Sequence, residues 1–132
     1  MKRMVGVILV LGVLDFAYWW GQTVKPVGII RAQLQAIDEG AYPQAYDYLS
    51  STAKATLSFN EFVELIQNNS VVAETRDSTF LSRSMNGTNG TTATISGILE
   101  GYGSDVSDTH YRLVKEDDQW RIESFEWGPP RR

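Results

Sequence analysis

His110 is the single histidine of the chain, and acid–base or metal chemistry would have to start from it. One imidazole cannot make a multi-histidine metal site, and no Asp or Glu follows it at position i+2 of its strand. Asp105 and Asp108 are close in sequence, but they lie in a glycine- and aspartate-bearing stretch where carboxylates form turns. His110 is therefore expected as a surface strand residue, with a lone base or ligand as the competing reading. The absence of cysteine excludes disulfides, thiol catalysis, iron–sulfur clusters and Cys-based zinc sites. No Gly-x-Ser-x-Gly, Walker, dinucleotide-binding or His-Glu-x-x-His pattern occurs. The expectation is no catalytic residue, no cofactor and no metal.

Asp15 draws notice because of its surroundings. Met4 to Trp20 is apolar apart from this one carboxylate, and Lys2 and Arg3 precede it. As a helix rising about 1.5 Å per residue, the run spans roughly 25 Å, slightly short of the ~30 Å hydrocarbon core of a bilayer. Tyr18, Trp19 and Trp20 fall where an aromatic interface belt is expected, and the basic start favours a cytoplasmic N-terminus. A secretory signal peptide also begins this way, but Phe16-Ala-Tyr-Trp-Trp-Gly-Gln-Thr23 offers no small-x-small cleavage site. Residues 1–23 are accordingly expected to be a retained signal-anchor, a transmembrane helix. A cleaved leader and a buried helix are the alternatives. A carboxylate at a helix centre costs about 2.5–3.5 kcal/mol on insertion. Asp15 either leans toward the nearby interface or pairs with a polar group on another membrane helix. Asp15, Trp19 and Trp20 are thus the expected membrane or partner contacts.

Residues 24–132 are one domain's worth of chain. Of 12 basic and 16 acidic residues, Lys2, Arg3 and Asp15 belong to the leader, so the remainder carries 10 against 15, a net charge of −5. An acidic domain repels phosphate backbones, so no nucleic-acid partner is expected.

Pro26 suits the first turn of a helix, and Val27, Ile30, Leu34 and Ile37 recur on one face before Gly40. A second, shorter helix is expected over Tyr42–Leu49. Ser58-Phe-Asn-Glu61 is a capping box, opening a third helix with Phe59, Phe62, Val63 and Ile66 inward and an end at Gln67-Asn-Asn-Ser70. From Val71 onward the period becomes 2. Strands are expected over Glu74–Met85, Thr91–Tyr102, Thr109–Lys115 and Gln119–Trp127. Asn86-Gly-Thr-Asn-Gly90, Gly101 to Asp108 and Glu116-Asp-Asp118 supply the turns. Asn68-Asn-Ser70, Asn86-Gly-Thr88 and Asn89-Gly-Thr91 also match the glycosylation sequon, but Asn-Gly is first a hairpin signal. The expected class is α+β: an N-terminal transmembrane helix, then three helices packed on a four-stranded antiparallel sheet.

This element order, and the ending Tyr111-Arg-Leu-Val-Lys-Glu-Asp-Asp-Gln-Trp-Arg-Ile122, resembles the NTF2-like, SnoaL-like superfamily of cone-shaped domains. The likeness is greatest to small bacterial members with an N-terminal membrane anchor. It covers about Pro26 to Trp127. Members usually carry Asp-Gly in the last turn, where this chain has Asp117-Asp118. The resemblance implies a fold that hosts enzymes, ligand binders and interaction modules alike. Enzymes on it place acid and base inside the cone. Isomerase-type chemistry there needs a carboxylate base and a buried Tyr or protonated Asp as oxyanion donor. Tyr42, Tyr46, Tyr48, Tyr102 and Tyr111 are present, but no obvious partner acid; Asp47 reads as a helix-capping residue.

In the last hairpin, strict alternation puts Tyr111, Leu113, Trp120 and Ile122 on the core face. It puts His110, Arg112, Val114, Arg121, Glu123, Phe125 and Trp127 on the other. Aromatic residues beside Arg are an interface composition. Arg112, Val114, Arg121, Phe125 and Trp127 are therefore the candidate interface on the outer sheet face, against a plain solvated face as the alternative. The functional expectation is a non-enzymatic, single-pass membrane protein with its C-terminal domain periplasmic, extracellular or thylakoid-lumenal. It would be an accessory or assembly subunit, contacting other membrane subunits or itself. The alternative is a tethered small apolar ligand-binding or enzymatic domain.

Overall fold

The computed structural model describes residues 26–86 and 90–132. Helix α1 (Pro26–Asp38) opens on its proline and buries Val27, Ile30, Gln33, Leu34, Ala36 and Ile37. It closes in a Schellman turn. Gly40 takes φ +76, its N–H donates to Ile37 O, and Ala41 N–H donates to Ala36 O. Four shorter helices follow: α2 (Tyr42–Asp47), α3 (Ser51–Thr56), α4 (Phe59–Gln67) and α5 (Ser70–Ala73). The capping box of α4 forms, with Ser58 N–H on Glu61 Oε1 at 3.1 Å and Glu61 N–H on Ser58 Oγ at 3.2 Å. Ser50 caps α3, and Asn69 caps α5 through two backbone N–H groups.

Strands β1 (Thr75–Asn86), β2 (Thr92–Gly101), β3 (Val106–Glu116) and β4 (Gln119–Trp127) form one antiparallel sheet in the order β1-β2-β3-β4. Its inner face supplies Ala93, Ile95, Leu99, Tyr111, Leu113, Trp120 and Ile122 to a core completed by Ile30, Leu34, Ile37, Phe62, Ile66, Val71 and Val72. β1 is bulged at Arg76 and at Leu81. Opposite the second bulge lies Gly97, where a Cβ would collide with the Thr79 carbonyl oxygen and come within 2.8 Å of Phe80 Cα. The β3–β4 turn carries two residues in the left-handed region, Asp117 at φ 53 and Asp118 at φ 62. The β4 edge is partly closed by the α2–α3 connection. Ile122 N–H donates to Tyr48 O, and Ser50 N–H to Ile122 O, each at 2.9 Å.

The chain is thus α+β, a four-stranded antiparallel sheet with helices, and the fold expected from sequence needs correcting. Among the described residues, no helix is long and apolar enough to cross a membrane. The run Met4–Trp20, with Asp15, Trp19 and Trp20, lies outside the described residues, as do residues 87–89 of the first hairpin turn. The described helices number five rather than three. α3 offers only Ala53 to the core and α5 is a single turn, so neither makes a recognisable apolar stripe.

Candidate functional site

The five outer-face residues do not share a face. β4 pairs Leu113 with Ile122 but Arg112 with Ser124, so Glu123 is an extra residue, a β-bulge. Side-chain alternation has a period of two, so one inserted residue sends everything beyond it to the opposite side. Phe125 faces with Tyr111 and Trp127 with Thr109, on the inner side. Arg112, Val114 and Arg121 stay outside. Arg112 Nε meets Glu123 Oε2 at 3.2 Å, and Arg121 donates to Asp47 O at 2.6 Å and to Gln119 Oε1 at 2.9 Å. Phe125 and Trp127 belong instead to a line of rings. Tyr46 touches both Phe59 and Phe62, and the Phe62 centroid lies 6.1 Å from Phe125 and 6.2 Å from Trp127. Phe125 and Trp127 stack at 4.4 Å with a 37° tilt.

The Trp127 ring is pinned from within the core. Its Nε1–H donates to the Tyr111 hydroxyl at 2.7 Å, that hydroxyl donates to Gln33 Oε1 at 3.4 Å, and Gln33 Nε2–H donates to Ala45 O at 3.3 Å. Gln33 and Tyr111 are buried to 0 % and 1 % exposure. Burial pushes the Tyr111 hydroxyl well above the usual tyrosine range, although hydrogen bonds with Trp127 and Thr109 pull the other way. This relay spans β4, β3, α1 and α2, and each buried polar atom in it has a partner.

Outside the relay, Phe125 and Trp127 form the floor of a groove of about 440 Å³. Leu65 of α4 and Asn68, which caps that helix's end, make one wall, and Pro129 and Pro130 make the other. Leu65 is 45 % exposed, well above what core packing of α4 would leave. The proline wall is fixed by the tail. Arg131 pairs its backbone with Val106 in both directions, and its guanidinium meets Asp108 Oδ1 at 2.9 Å. The Gly128 carbonyl accepts from Asn69 Nδ2 and Ser107 Oγ. The Arg131 hydrogen bond and charge hold the Asp108 carboxyl below the usual aspartate range.

His110 lies on the outer face, exposed, with Nδ1 2.8 Å from Ser96 Oγ. That is a hydroxyl–imidazole contact in form, but it stands on open sheet surface where nothing expels water. Inside the domain, Phe62 and Trp120 fill the space between helices and sheet. Tyr111, the one tyrosine of the five that reaches the deep core, has its hydroxyl spent on the relay. No group of three or more His, Asp or Glu able to hold a metal occurs among the described residues.

A family model described as a domain of unknown function, DUF4864, matches residues 22–129. The chain belongs to the DUF4864 family. The match takes in every described element of this DUF4864 domain, from α1 to the end of β4 and the first proline of the groove wall. No curated protein matches the chain. The groove was not legible in the sequence of this DUF4864 member as a surface, because it combines α4, β4 and the tail. One signal was present: Trp120 and Ile122 are out of phase with Phe125 and Trp127, which is how a bulge appears in an alternating pattern.

Proposed function

We propose that this DUF4864 domain is a non-catalytic interaction domain, an accessory or assembly subunit that holds a partner protein in the groove over Phe125 and Trp127. One observation carries the reading. Two stacked, partly buried aromatic rings, one of them held from the core through its indole N–H, floor an open apolar groove. Concave, mostly apolar clefts are where folded domains receive ligands and partners, and aromatic anchors with fixed rings lose little entropy on binding. The apolar sequence run Met4–Trp20 supports a membrane address for the assembly. The kinship with NTF2-like domains inferred from the ending Tyr111–Ile122 agrees with an interaction role.

The test is affinity purification in mild detergent of the full chain and of two variants, Leu65→Asp and Trp127→Ala. Leu65→Asp alters an exposed groove wall and leaves the core untouched. A stoichiometric partner retained by the wild type and lost from both folded variants is the expected result. A lone monomer in all three preparations, or a partner indifferent to both changes, refutes the groove. Carbonate extraction of the intact chain into the supernatant refutes the membrane address.

A further inference from the structure

We infer that the groove takes an extended peptide segment, which adds to the free part of the β4 edge as a fifth strand. This rests on the docking role proposed above and specifies its occupant. In an antiparallel ladder successive residues turn their N–H and C=O alternately toward and away from the neighbouring strand. Gly128 N–H donates to Asp108 O at 2.8 Å, and the Glu126 carbonyl accepts from Thr109 Oγ1, so both point toward β3. Phe125 and Trp127 therefore turn their main-chain groups outward, and among the described residues nothing bonds to them. The same edge is already paired a few residues earlier. The protein's own Tyr48–Ser50 segment lies beside Ile122 as a parallel bridge, and the edge runs on past it unpaired.

The space suits the guest. A neighbouring strand stands about 4.8 Å away, whereas a helix is about 10–12 Å across and leaves the outward amides of Phe125 and Trp127 unmet. Alternate side chains of an added strand would rest on Phe125, Trp127 and Leu65, and the exposed Asn68 carboxamide can serve the guest's far edge. Glu126 of β4 is exposed and lines the groove, and Glu61 and Glu64 are exposed on α4, whose Leu65 forms a groove wall, so basic residues at the ends of the segment are favoured. The other sheet edge is a poorer template. β1 is bulged twice, at Arg76 and Leu81, against the single bulge at Glu123 in β4, and bulges are a device by which edges resist pairing.

The experiment pans a displayed library of random nonapeptides against the full-length chain in detergent, with Leu65→Asp and Trp127→Ala as counter-selection. Selected peptides are then resynthesised with N-methyl groups on one or the other alternating set of amides, and affinity is read by fluorescence anisotropy. Strand addition predicts apolar residues at every second position. Methylation of the set facing β4 should weaken binding about tenfold or more, and the opposite set less than about threefold, as the loss of two main-chain hydrogen bonds requires. Groove-dependent peptides indifferent to both methylations, or with apolar residues at helical spacing, keep the docking site and overturn strand addition. If no selected peptide distinguishes the wild type from the two variants, strand addition and the docking role fall together.

Discussion

Tyr111→Phe removes one oxygen from the molecule, yet it is expected to cost about 2–3 kcal/mol. The substitution leaves the core shape intact, so no cavity contribution enters. What changes is hydrogen bonding at both ends of the hydroxyl. Gln33 Oε1, wholly buried, loses its donor, and an unsatisfied buried acceptor costs about 1–3 kcal/mol. Trp127 Nε1–H loses its acceptor as well, but the ring is only partly buried at the groove, so its share is about 0.5 kcal/mol. Urea titration followed by tryptophan fluorescence gives the number. With a slope of about 1–3 kcal/mol per M, the midpoint should fall by roughly 0.7–3 M at unchanged slope. The double variant Gln33→Leu/Tyr111→Phe should recover at least about half the loss, because both partners are then apolar and Ala45 O retains its bond from Tyr48 N–H. A loss under about 0.5 kcal/mol, or strictly additive single and double variants, would show that the relay is not what holds Trp127.

Three further outcomes follow from the same geometry. Tyr111 ionises less readily folded than unfolded, so its contribution is fully present below the unfolded value near 10 and lost as pH rises above it. Stability should fall by up to about 1.4 kcal/mol per pH unit there, and Tyr111→Phe should abolish that slope in alkaline denaturation curves. Asp118→Gly should stabilise the domain by about 0.5–1 kcal/mol by relieving a left-handed aspartate in the β3–β4 turn; a lowered melting temperature would contradict this. Asp108 titrates low because Arg131 bonds it, so the tail contact is complete above the unfolded aspartate value near 4 and lost as pH falls through the folded one. Amide-exchange protection at Val106 and Arg131 should drop across that window and become insensitive to it in Asp108→Asn.

Local signals in the sequence located the elements that contain their own reasons. Pro26 with the Val27/Ile30/Leu34/Ile37 stripe made α1 visible, and Ser58 with Glu61 made the start of α4 visible, because a cap and a stripe are written within a few residues of each other. The four strands announced themselves by period and by turn residues. The faces of the last strand did not. Extrapolating strict alternation through Glu123 sent Phe125 and Trp127 to the wrong side, and a bulge is fixed by pairing with β3 rather than by β4 alone. α3 was invisible for a different reason: Ser51–Thr56 is polar except for its alanines and is helical because Ser50 caps it while Ile122 holds Ser50 in place. The Gln33–Tyr111–Trp127 relay joins residues 78 and 16 positions apart, a distance over which no spacing rule operates.

The seam at Ile122 bears on how the domain comes apart. All three β-hairpins are local in sequence, so a meander of this kind could melt strand by strand from its ends. Tyr48, Ser50 and Ile122 tie the helical half to the last strand through main-chain bonds rather than through grease alone. Heating or denaturant must then release both halves in one cooperative step, and slow-exchanging amides should include Ser50 and Ile122 together. Fragments cut between α5 and β1 would each lose half of that seam and should not survive as independent folded pieces.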